Sequence, residues 1–301
     1  MPEKGGPVPG GLKTWSTPVR REQSKTVPCT LCGGASFKPR LSCEGFSYVR
    51  CVRCGLVQMN PQPEQSAVAD RYGAGHGEDY LSYELANEGS FLRLQELGLG
   101  DAGFDEIEAE LKARTPKPRV LDAGCATGAL LEKLRGRGWD CRGVEISPSA
   151  AYARRKRSLD VLSLPLEACA FPASSFDLVL ASHLIEHLND PAGFASEVYR
   201  ILAPGGRFLV TTPNIAGLQA RIFQERWRSA IFDHLYLFST ATLSRLLRDR
   251  GFRIERVCTW GGLAAGLAPR PLKNLADRAA KQFGFGDVVL IRARRSGGGE
   301  P

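Results

Sequence analysis

From residue 119 onward, short apolar runs alternate with longer segments whose apolar positions recur every three or four residues. The first pattern is typical of buried strands and the second of amphipathic helices. Strands are predicted at 120–123, 139–146, 161–162, 176–180 and 202–210, and helices at 129–137 and 149–158. Such alternation predicts right-handed crossovers and a parallel sheet with helices on both faces.

The remaining segments have other patterns. Two last strands, 252–259 and 287–293, flank a helix at 271–283, whereas 61–118 is mainly helical with a glycine-rich break at 72–77. Both ends of the chain are rich in Pro, Gly, Ser and charge, and we expect them to be disordered because they bury little apolar surface. The predicted organisation is a tail (1–27), a metal module (28–60), a helical lid or linker (61–118), an α/β domain (119–295) and a second tail (296–301).

Composition adds limits on location and partners. The 301 residues are 43% hydrophobic and 24% charged, as in ordinary soluble proteins, and the net charge of +8 favours anionic partners. Its densest cluster, Arg154 to Arg157, is interpreted as a solvated helix face. No run approaches the roughly 20 apolar residues of a membrane span. Because the N-terminus also lacks a signal-peptide pattern, we expect a cytoplasmic protein without a membrane partner.

Nine cysteines are present, and five of them lie between residues 29 and 54. Four form two Cys-x-x-Cys-Gly knuckles, and these predicted ligands are Cys29, Cys32, Cys51 and Cys54. Each knuckle can place two thiolates on one tetrahedral ion, which predicts a structural Zn²⁺ in a zinc ribbon, hereafter the ribbon. Cys43 is not needed as a ligand and is expected to be a small buried residue. Ribbons also bind nucleic acid, so an RNA contact by the basic and aromatic residues of 37–48 stays open.

The stretch 120–128 has the layout of a strand that ends in a glycine turn and opens into a helix. Small residues such as Gly124 and Gly128 let backbone amides approach a ligand, and Asp122 adds a carboxylate at the strand tip. Glu145 ends the next apolar run, where an acid can accept both hydroxyls of a ribose. A pyrophosphate turn would have a second glycine where Ala126 stands, so the pattern predicts a nucleoside cofactor other than a dinucleotide.

Taken with later segments, this turn resembles the class I S-adenosylmethionine-dependent methyltransferases. The further segments are Phe176–Leu180, Ser182–Leu188 and the Pro204-Gly205-Gly206 turn, so that the resemblance covers 120–290. It implies an α/β, Rossmann-like, seven-stranded, mostly parallel sheet with an antiparallel last strand, here preceded by the ribbon. The segments 233–239 and 243–252 resemble a small-molecule subgroup that includes ubiquinone-type O-methyltransferases and sugar-modifying enzymes.

The resemblance also implies S-adenosylmethionine as cofactor and a set of contacts to it. These are Asp122, Gly124, Cys125, Gly128, Glu145, Ile146, Leu166, Glu167, Ser182 and Tyr80. Tyr72, Tyr80 and Tyr83 are candidates for a lid that closes over the cofactor, or else for aromatic packing on a helix face. Glu167, in the loop before the fourth strand, is a candidate partner for the adenine amine.

Methyl transfer to a hydroxyl requires an aligned acceptor and a base with a pKa near neutrality. We predict His234 as this base, with Trp227 and Tyr236 lining the acceptor pocket, and His183 as the second choice. A structural hydrogen bond is the alternative for His234. Glu186 and His187 are adjacent and diverge on a helix, and without an evident third ligand they are expected to make supporting contacts rather than to bind a divalent ion.

Three functions remain open on this sequence. The favoured one is O-methylation of a small molecule, and the second is methylation of RNA gripped by the ribbon and basic patches. The third is a non-catalytic zinc-binding scaffold. The Asn/Asp-Pro-Pro-Tyr/Phe segment of base-modifying enzymes is absent after the fourth strand, where 181–184 reads Ala-Ser-His-Leu. This disfavours nitrogen methylation of adenine or cytosine.

Overall fold

A computed structural model describes residues 24–64, 77–262 and 269–296. Within these ranges the strands are β1 (Ser24–Lys25), β2 (Phe37–Cys43), β3 (Phe46–Cys51), β4 (Val57–Met59), β5 (Gln62–Pro63), β6 (Arg119–Ala123), β7 (Asp140–Val144), β8 (Asp160–Leu162), β9 (Phe176–Ser182), β10 (Leu202–Pro213), β11 (Tyr236–Leu237), β12 (Phe252–Trp260) and β13 (Val288–Arg295).

The α-helices in the described part of the chain are α1 (Gly77–Asp101), α2 (Phe104–Arg114), α3 (Ala129–Gly136), α4 (Ser149–Arg157), α5 (Pro191–Ile201), α6 (Leu218–Phe223), α7 (Thr240–Arg248) and α8 (Arg270–Phe283). Single turns of 3-10 helix lie at Leu166–Ala168, Ile185–His187 and Gln224–Arg226. No helix in the described ranges has both the length and the apolar character to cross a membrane.

Seven strands form the central sheet in the order β12-β13-β10-β9-β6-β7-β8. The five neighbouring strands β10, β9, β6, β7 and β8 run parallel to one another. β13 lies between β10 and β12 and is antiparallel to both. The predicted Rossmann-like fold with an antiparallel last strand is therefore confirmed. Register pairs Ala123 with both Val144 and Ala181. The carboxyl ends of β6, β7 and β9 consequently meet at one edge, where such folds bind ligands.

Successive residues of the central strands contribute to two different hydrophobic clusters. Leu121 and Val179 belong to a cluster that also contains the ribbon core, α5 and α7, whereas Val120 and Leu178 pack with α2, α3 and α4. Because side chains alternate between the faces of a strand, these clusters cover opposite faces of the sheet. The ribbon therefore shares a core with one face of the α/β domain.

The ribbon's own sheet has the order β11-β4-β3-β2. Its edge strand β11 comes from residues 214–239, hereafter the insertion, which connects β10 to α7; Tyr236 pairs with Gln58 and Leu237 with Val57. β1 pairs with β5, which extends the ribbon beyond its predicted bounds of 28 and 60 and shortens the predicted N-terminal tail. The ribbon and the α/β domain are thus joined by a shared sheet.

The helix after β9 begins beyond the Ser182–Leu188 segment. It starts at Pro191, where the Asp190 side chain accepts a hydrogen bond from the Gly193 amide. Residues 183–190, hereafter the β9 loop, lie between β9 and this helix; His183 has a left-handed φ of 53°, and Ile185–His187 form a single 3-10 turn. At the start of α4 the Ser147 hydroxyl accepts a hydrogen bond from the Ser149 amide, and Pro148 occupies the N-cap position.

Candidate active site

The turn after β6 has three residues with left-handed backbone: Gly124 (φ 73°), Ala126 (φ 48°) and Gly128 (φ 78°). Glycine adopts this conformation at little cost, whereas alanine rarely does. A Cβ atom at Gly128 would also lie 2.5 Å from a Leu159 methyl group. Backbone amides of Gly124 and Cys125 donate to the Val144 carbonyl, which ties the turn to β7. Cys125 itself is buried beneath the turn.

Glu145 lies at the end of β7, as predicted, and its carboxylate faces the turn. Its two oxygens accept the amides of Ala126 at 3.0 Å and Ser147 at 2.8 Å. These bonds hold an acid at the strand edge in a fixed orientation. The next residue, Ile146, is a large apolar side chain that is 45% exposed. An acid beside an exposed apolar side chain suits a ribose followed by a flat base.

Asp122 is the second acid at this edge, and it is almost wholly buried. Neither carboxylate oxygen has a hydrogen-bond partner among the described residues. Burial and the negative charge of Glu145 raise its pKa to about 7. A buried acceptor without a donor is costly unless a ligand supplies one, so this carboxylate fits the cationic groups of S-adenosylmethionine.

Helix α1 packs onto the same edge through two acids that sequence reasoning missed. The Ser149 hydroxyl donates to Glu84, and Glu84 also hydrogen-bonds the Tyr80 side chain. The Thr127 hydroxyl and the Arg157 guanidinium both donate to Glu88, at 2.7 and 2.6 Å. The predicted lid residue Tyr80 thus lies beside the edge of the sheet where β6, β7 and β9 end. This edge, where we predict the cofactor to bind, is hereafter called the cofactor edge.

The other lid candidates have different outcomes. Tyr83 is partly exposed and contacts Phe91, with ring centroids 5.9 Å apart. Tyr72 lies outside the described residues. Among the predicted adenine contacts, Leu166 is buried and Glu167 is exposed within the 3-10 turn at Leu166–Ala168. No contact in the structure assigns either residue to a base.

The β9 loop brings a histidine to the cofactor edge. Ser182 ends β9, and the His183 amide donates to the Thr211 carbonyl at 2.8 Å. The imidazole of His183 is about half exposed, and its Nδ1 lies 3.3 Å from Glu186 Oε1. The next side chain, Leu184, contacts the turn: its Cδ1 atom would be 3.3 Å from a Cβ placed on Gly124.

Behind His183 lies a buried cluster of Glu186, His187 and His234. One ring nitrogen of each histidine and a Glu186 oxygen lie within 4.8 Å of one another. The Nδ1 atoms of His187 and His234 donate to the carbonyls of Asp233 and Ser229, at 2.9 and 2.8 Å. His234 is thus the third potential metal ligand beside Glu186 and His187, which the sequence alone did not reveal.

The pKa values of Glu186 and His234 in this cluster are both lowered from their ordinary values. Burial alone would raise the pKa of Glu186, but His183, His187 and His234 lower it to about 2. Burial, together with the neighbouring His187, lowers the pKa of His234 to about 3. A histidine with such a pKa is neutral and weakly basic at pH 7. The structure thus argues against His234 as general base and supports the alternative that it makes a structural hydrogen bond.

Trp227 and Tyr236, predicted to line the acceptor pocket, are core residues. Each is 2% exposed. The Trp227 indole donates to Asp287 at 2.5 Å, and the Tyr236 hydroxyl donates to the Asn189 carbonyl at 3.1 Å. Their polar atoms form hydrogen bonds within the protein. The prediction that these two side chains line the acceptor pocket is therefore corrected. The pattern that suggested a pocket reflects the packing of the insertion.

The four predicted metal ligands of the ribbon come together. Their sulfur atoms lie within 4.8 Å of one another, with 3.4 Å between Cys29 and Cys54 and 3.5 Å between Cys32 and Cys51. A tetrahedral zinc with Zn–S bonds of about 2.3 Å would place sulfurs about 3.8 Å apart. In both knuckles the following glycine has a left-handed φ, at Gly33 and Gly55. The residues present fit a tetrahedral ion.

Comparison with known proteins agrees with this geometry. A family described as "Methyltransferase domain" matches residues 98–257, which is more than half of the chain. The chain belongs to this family. Membership makes the chain an S-adenosylmethionine-dependent methyltransferase, so the scaffold hypothesis loses its support. The turn, Glu145 and Asp122 remain the predicted cofactor contacts.

Several relatives are similar over part of their length. The ubiquinone biosynthesis O-methyltransferase of Psychrobacter arcticus is 29% identical over 150 residues, covering 44% of this chain and 58% of that enzyme. The chloroplastic tocopherol O-methyltransferase of Arabidopsis thaliana is 30% identical over 220 residues, covering 64% and 60%. A SAM-dependent methyltransferase of Thermotoga maritima is 25% identical with a TM-score of 0.49, covering 72% of this chain and 99% of that one. The chain thus matches somewhat over half the length of these two O-methyltransferases.

Proposed function

We propose that this enzyme methylates a hydroxyl group of a small organic molecule and uses His183 as general base. The observation that carries the proposal is the position of His183. It is a half-exposed imidazole on the β9 loop, next to the residue that contacts the cofactor turn, with a buried carboxylate 3.3 Å behind it. The similarity to two O-methyltransferases supports an oxygen acceptor.

S-adenosylmethionine supplies a methyl group on a positively charged sulfur. In the proposed step the acceptor oxygen attacks that carbon in line, the carbon–sulfur bond breaks, and its electron pair stays on sulfur. The hydroxyl proton passes to Nε2 of His183. Glu186 stabilises the resulting imidazolium because its buried negative charge lies beside Nδ1. Asp122, Glu145 and the turn amides hold the donor while the β9 loop presents the base.

The four cysteines of the ribbon would hold one zinc ion in this proposal. All four positions of a tetrahedron are filled by protein sulfur, so the ion would have a structural role.

The test compares His183→Ala with His234→Ala in a screen for the acceptor. Each protein is incubated with a metabolite extract and trideuteromethyl S-adenosylmethionine, and labelled products are sought by mass spectrometry. For the product that wild type forms, we expect the single-turnover rate of His183→Ala to fall about 10²- to 10⁴-fold. His234→Ala should retain the larger share of activity per folded molecule. Equal, wild-type rates in both variants would remove histidine base catalysis.

An RNA acceptor has one observation in its favour. A groove of about 400 Å³ beside the second knuckle is lined by Lys38, Arg50 and Arg53. Phosphate binding there would weaken steeply with salt, by about 10-fold or more between 50 and 200 mM when several contacts form. Fluorescence anisotropy with a labelled single-stranded RNA tests this alternative. Absence of binding at low salt would remove it.

A further inference from the structure

The ribbon and the acceptor side of the site share buried contacts that run through the insertion. The buried side chains of Leu56, Val57 and Met59 from the ribbon belong to one hydrophobic cluster with Trp227, Leu235 and Tyr236 from the insertion. The segment that carries the cysteines is too short to form a core of its own. Its folding is therefore expected to depend on, and to order, the insertion.

Backbone hydrogen bonds continue this connection to the β9 loop. The Met59 amide of β4 donates to the Leu235 carbonyl at 2.8 Å, and the Leu235 amide donates to the Glu186 carbonyl, also at 2.8 Å. Leu235 thus bridges a ribbon strand and the residue whose carboxylate faces His183. A shift of β4 would move Leu235, and a shift of Leu235 would move Glu186.

Tyr48 supplies the second connection. It lies on β3, three residues before the ligand Cys51, and it is fully buried. Its hydroxyl lies 2.7 Å from the Ile231 carbonyl and 2.8 Å from the His234 carbonyl, and its single proton is shared between these acceptors. The hydroxyl holds the turn of the insertion that carries His234 against the ribbon.

The cofactor edge is held by other residues. Hydrogen bonds link the turn and Glu145 to Val144, Ser147, Glu88 of α1 and Arg157 of α4, and Cys125 packs in the cluster on the face opposite the ribbon. None of these hydrogen bonds involves a ribbon side chain. The β9 loop touches the turn through Leu184, but the hydrogen bonds that shape the turn come from β7, α1 and α4.

We propose that the metal-loaded ribbon positions the acceptor half of the active site, with Tyr48 and the Met59–Leu235–Glu186 hydrogen bonds as the connection. Tyr48 is a positioning residue: it acts through the insertion and the β9 loop on Glu186 and His183. The proposal rests on the proposed roles of the four cysteines and of His183. It assigns the ribbon a part in methyl transfer without a contact to the cofactor.

The first experiment compares Tyr48→Phe with Tyr199→Phe in the full-length chain. Both changes remove one tyrosine hydroxyl, but Tyr199 packs on Phe252, away from the ribbon. Hydrogen exchange is measured on peptides covering 183–189, 229–238 and 120–146, and S-adenosylmethionine affinity by calorimetry. We expect Tyr48→Phe to speed exchange of the first two peptides about 10-fold or more, since a buried hydrogen bond is lost. Exchange of 120–146 and the affinity should stay within twofold, and Tyr199→Phe should leave all three peptides unchanged.

A second readout uses the four histidines of the chain. Long-range ¹H–¹⁵N spectra report which ring nitrogen of each histidine carries a proton. In Tyr48→Phe we expect the signals of His187 and His234 to shift or broaden, while Tyr199→Phe keeps the wild-type pattern. Unchanged histidine signals together with unchanged exchange at 229–238 would overturn the proposal. Faster exchange of equal size in 120–146 would overturn it as well, because the effect would then be global.

Zinc removal provides an independent arm. Metal content is measured by mass spectrometry before and after treatment with a chelator, and exchange is repeated on the treated protein. Loss of zinc should open 183–189 and 229–238 and leave S-adenosylmethionine affinity within about threefold; retained protection there would contradict the proposal. None of these measurements uses turnover, so a failure of His183 as base would leave them interpretable. A zinc-free wild type would refute the metal assignment, while the Tyr48 arm would still test the positioning.

Discussion

The two halves of the proposed active site, the cofactor half and the acceptor half, are built in different ways. The cofactor half is local: the turn at 124–128 and Glu145 come from consecutive strands, and backbone amides make most of the bonds that shape it. The acceptor half assembles the ribbon, the β9 loop and the insertion, which lie far apart in sequence. We infer that the first half can be preserved by a short motif, whereas the second depends on tertiary packing and, in our proposal, on a metal.

The largest effect is expected from the metal ligands. Cys51→Ser would remove one of the four sulfurs proposed to hold the ion, and apparent zinc binding energies of about 10–16 kcal/mol are as large as the stability of a typical domain, about 5–15 kcal/mol. We expect loss of zinc by elemental analysis and a melting temperature lower by more than about 10 °C. Cys43→Ser is the matched control, because Cys43 lies outside the four-sulfur group. An equal loss in both variants would contradict the assignment. Metal retained by Cys51→Ser would instead point to Glu186, His187 and His234.

Asp122→Asn should affect the cofactor half alone. The pKa of Asp122 is raised from 3.8 to about 7 in the folded protein, so folding favours the protonated carboxyl. This contribution to the free energy of unfolding is fully present below about pH 4 and is lost as the pH rises to about 7. At pH 8 we therefore expect the ligand-free variant to melt a few degrees higher than wild type. S-adenosylmethionine should bind about 10-fold or more weakly, since its positive charge loses a buried partner.

The pH dependence sharpens this test. In wild type the thermal shift caused by S-adenosylmethionine should be larger at pH 8 than at pH 6, because ionised Asp122 favours the cationic ligand. The variant should lose most of this difference. Burial also raises the pKa of Glu84 to about 7, so a smaller slope in ligand-free stability should remain. Asp140→Asn, an exposed acid on β7, should change neither property; a wild-type affinity in Asp122→Asn would refute the assignment.

The same contrast explains what could be predicted from sequence. The position of Asp122, the glycines and Glu145 at one edge of the sheet was predictable because they lie in short segments that parallel pairing brings together, as Ala123 beside Val144 shows. Glu84 and Glu88 were not, since acids on a long helix carry no signal of what they face. The burial of His234 depends on packing against Tyr48, 186 residues away, which no local pattern encodes.

Trp227→Phe gives the smallest effect and tests the correction made to the acceptor pocket. The indole donates to Asp287, which is fully buried and also accepts Arg228 at 2.7 Å, so the variant leaves a buried carboxylate with one donor fewer. A loss of about 1–3 kcal/mol is expected, visible as a drop of several degrees in melting temperature. Because the ring is 2% exposed, S-adenosylmethionine affinity and the acceptor KM should stay within about threefold. A raised KM at unchanged melting temperature would instead show that Trp227 lines the acceptor site and that the insertion is open to the acceptor at this residue.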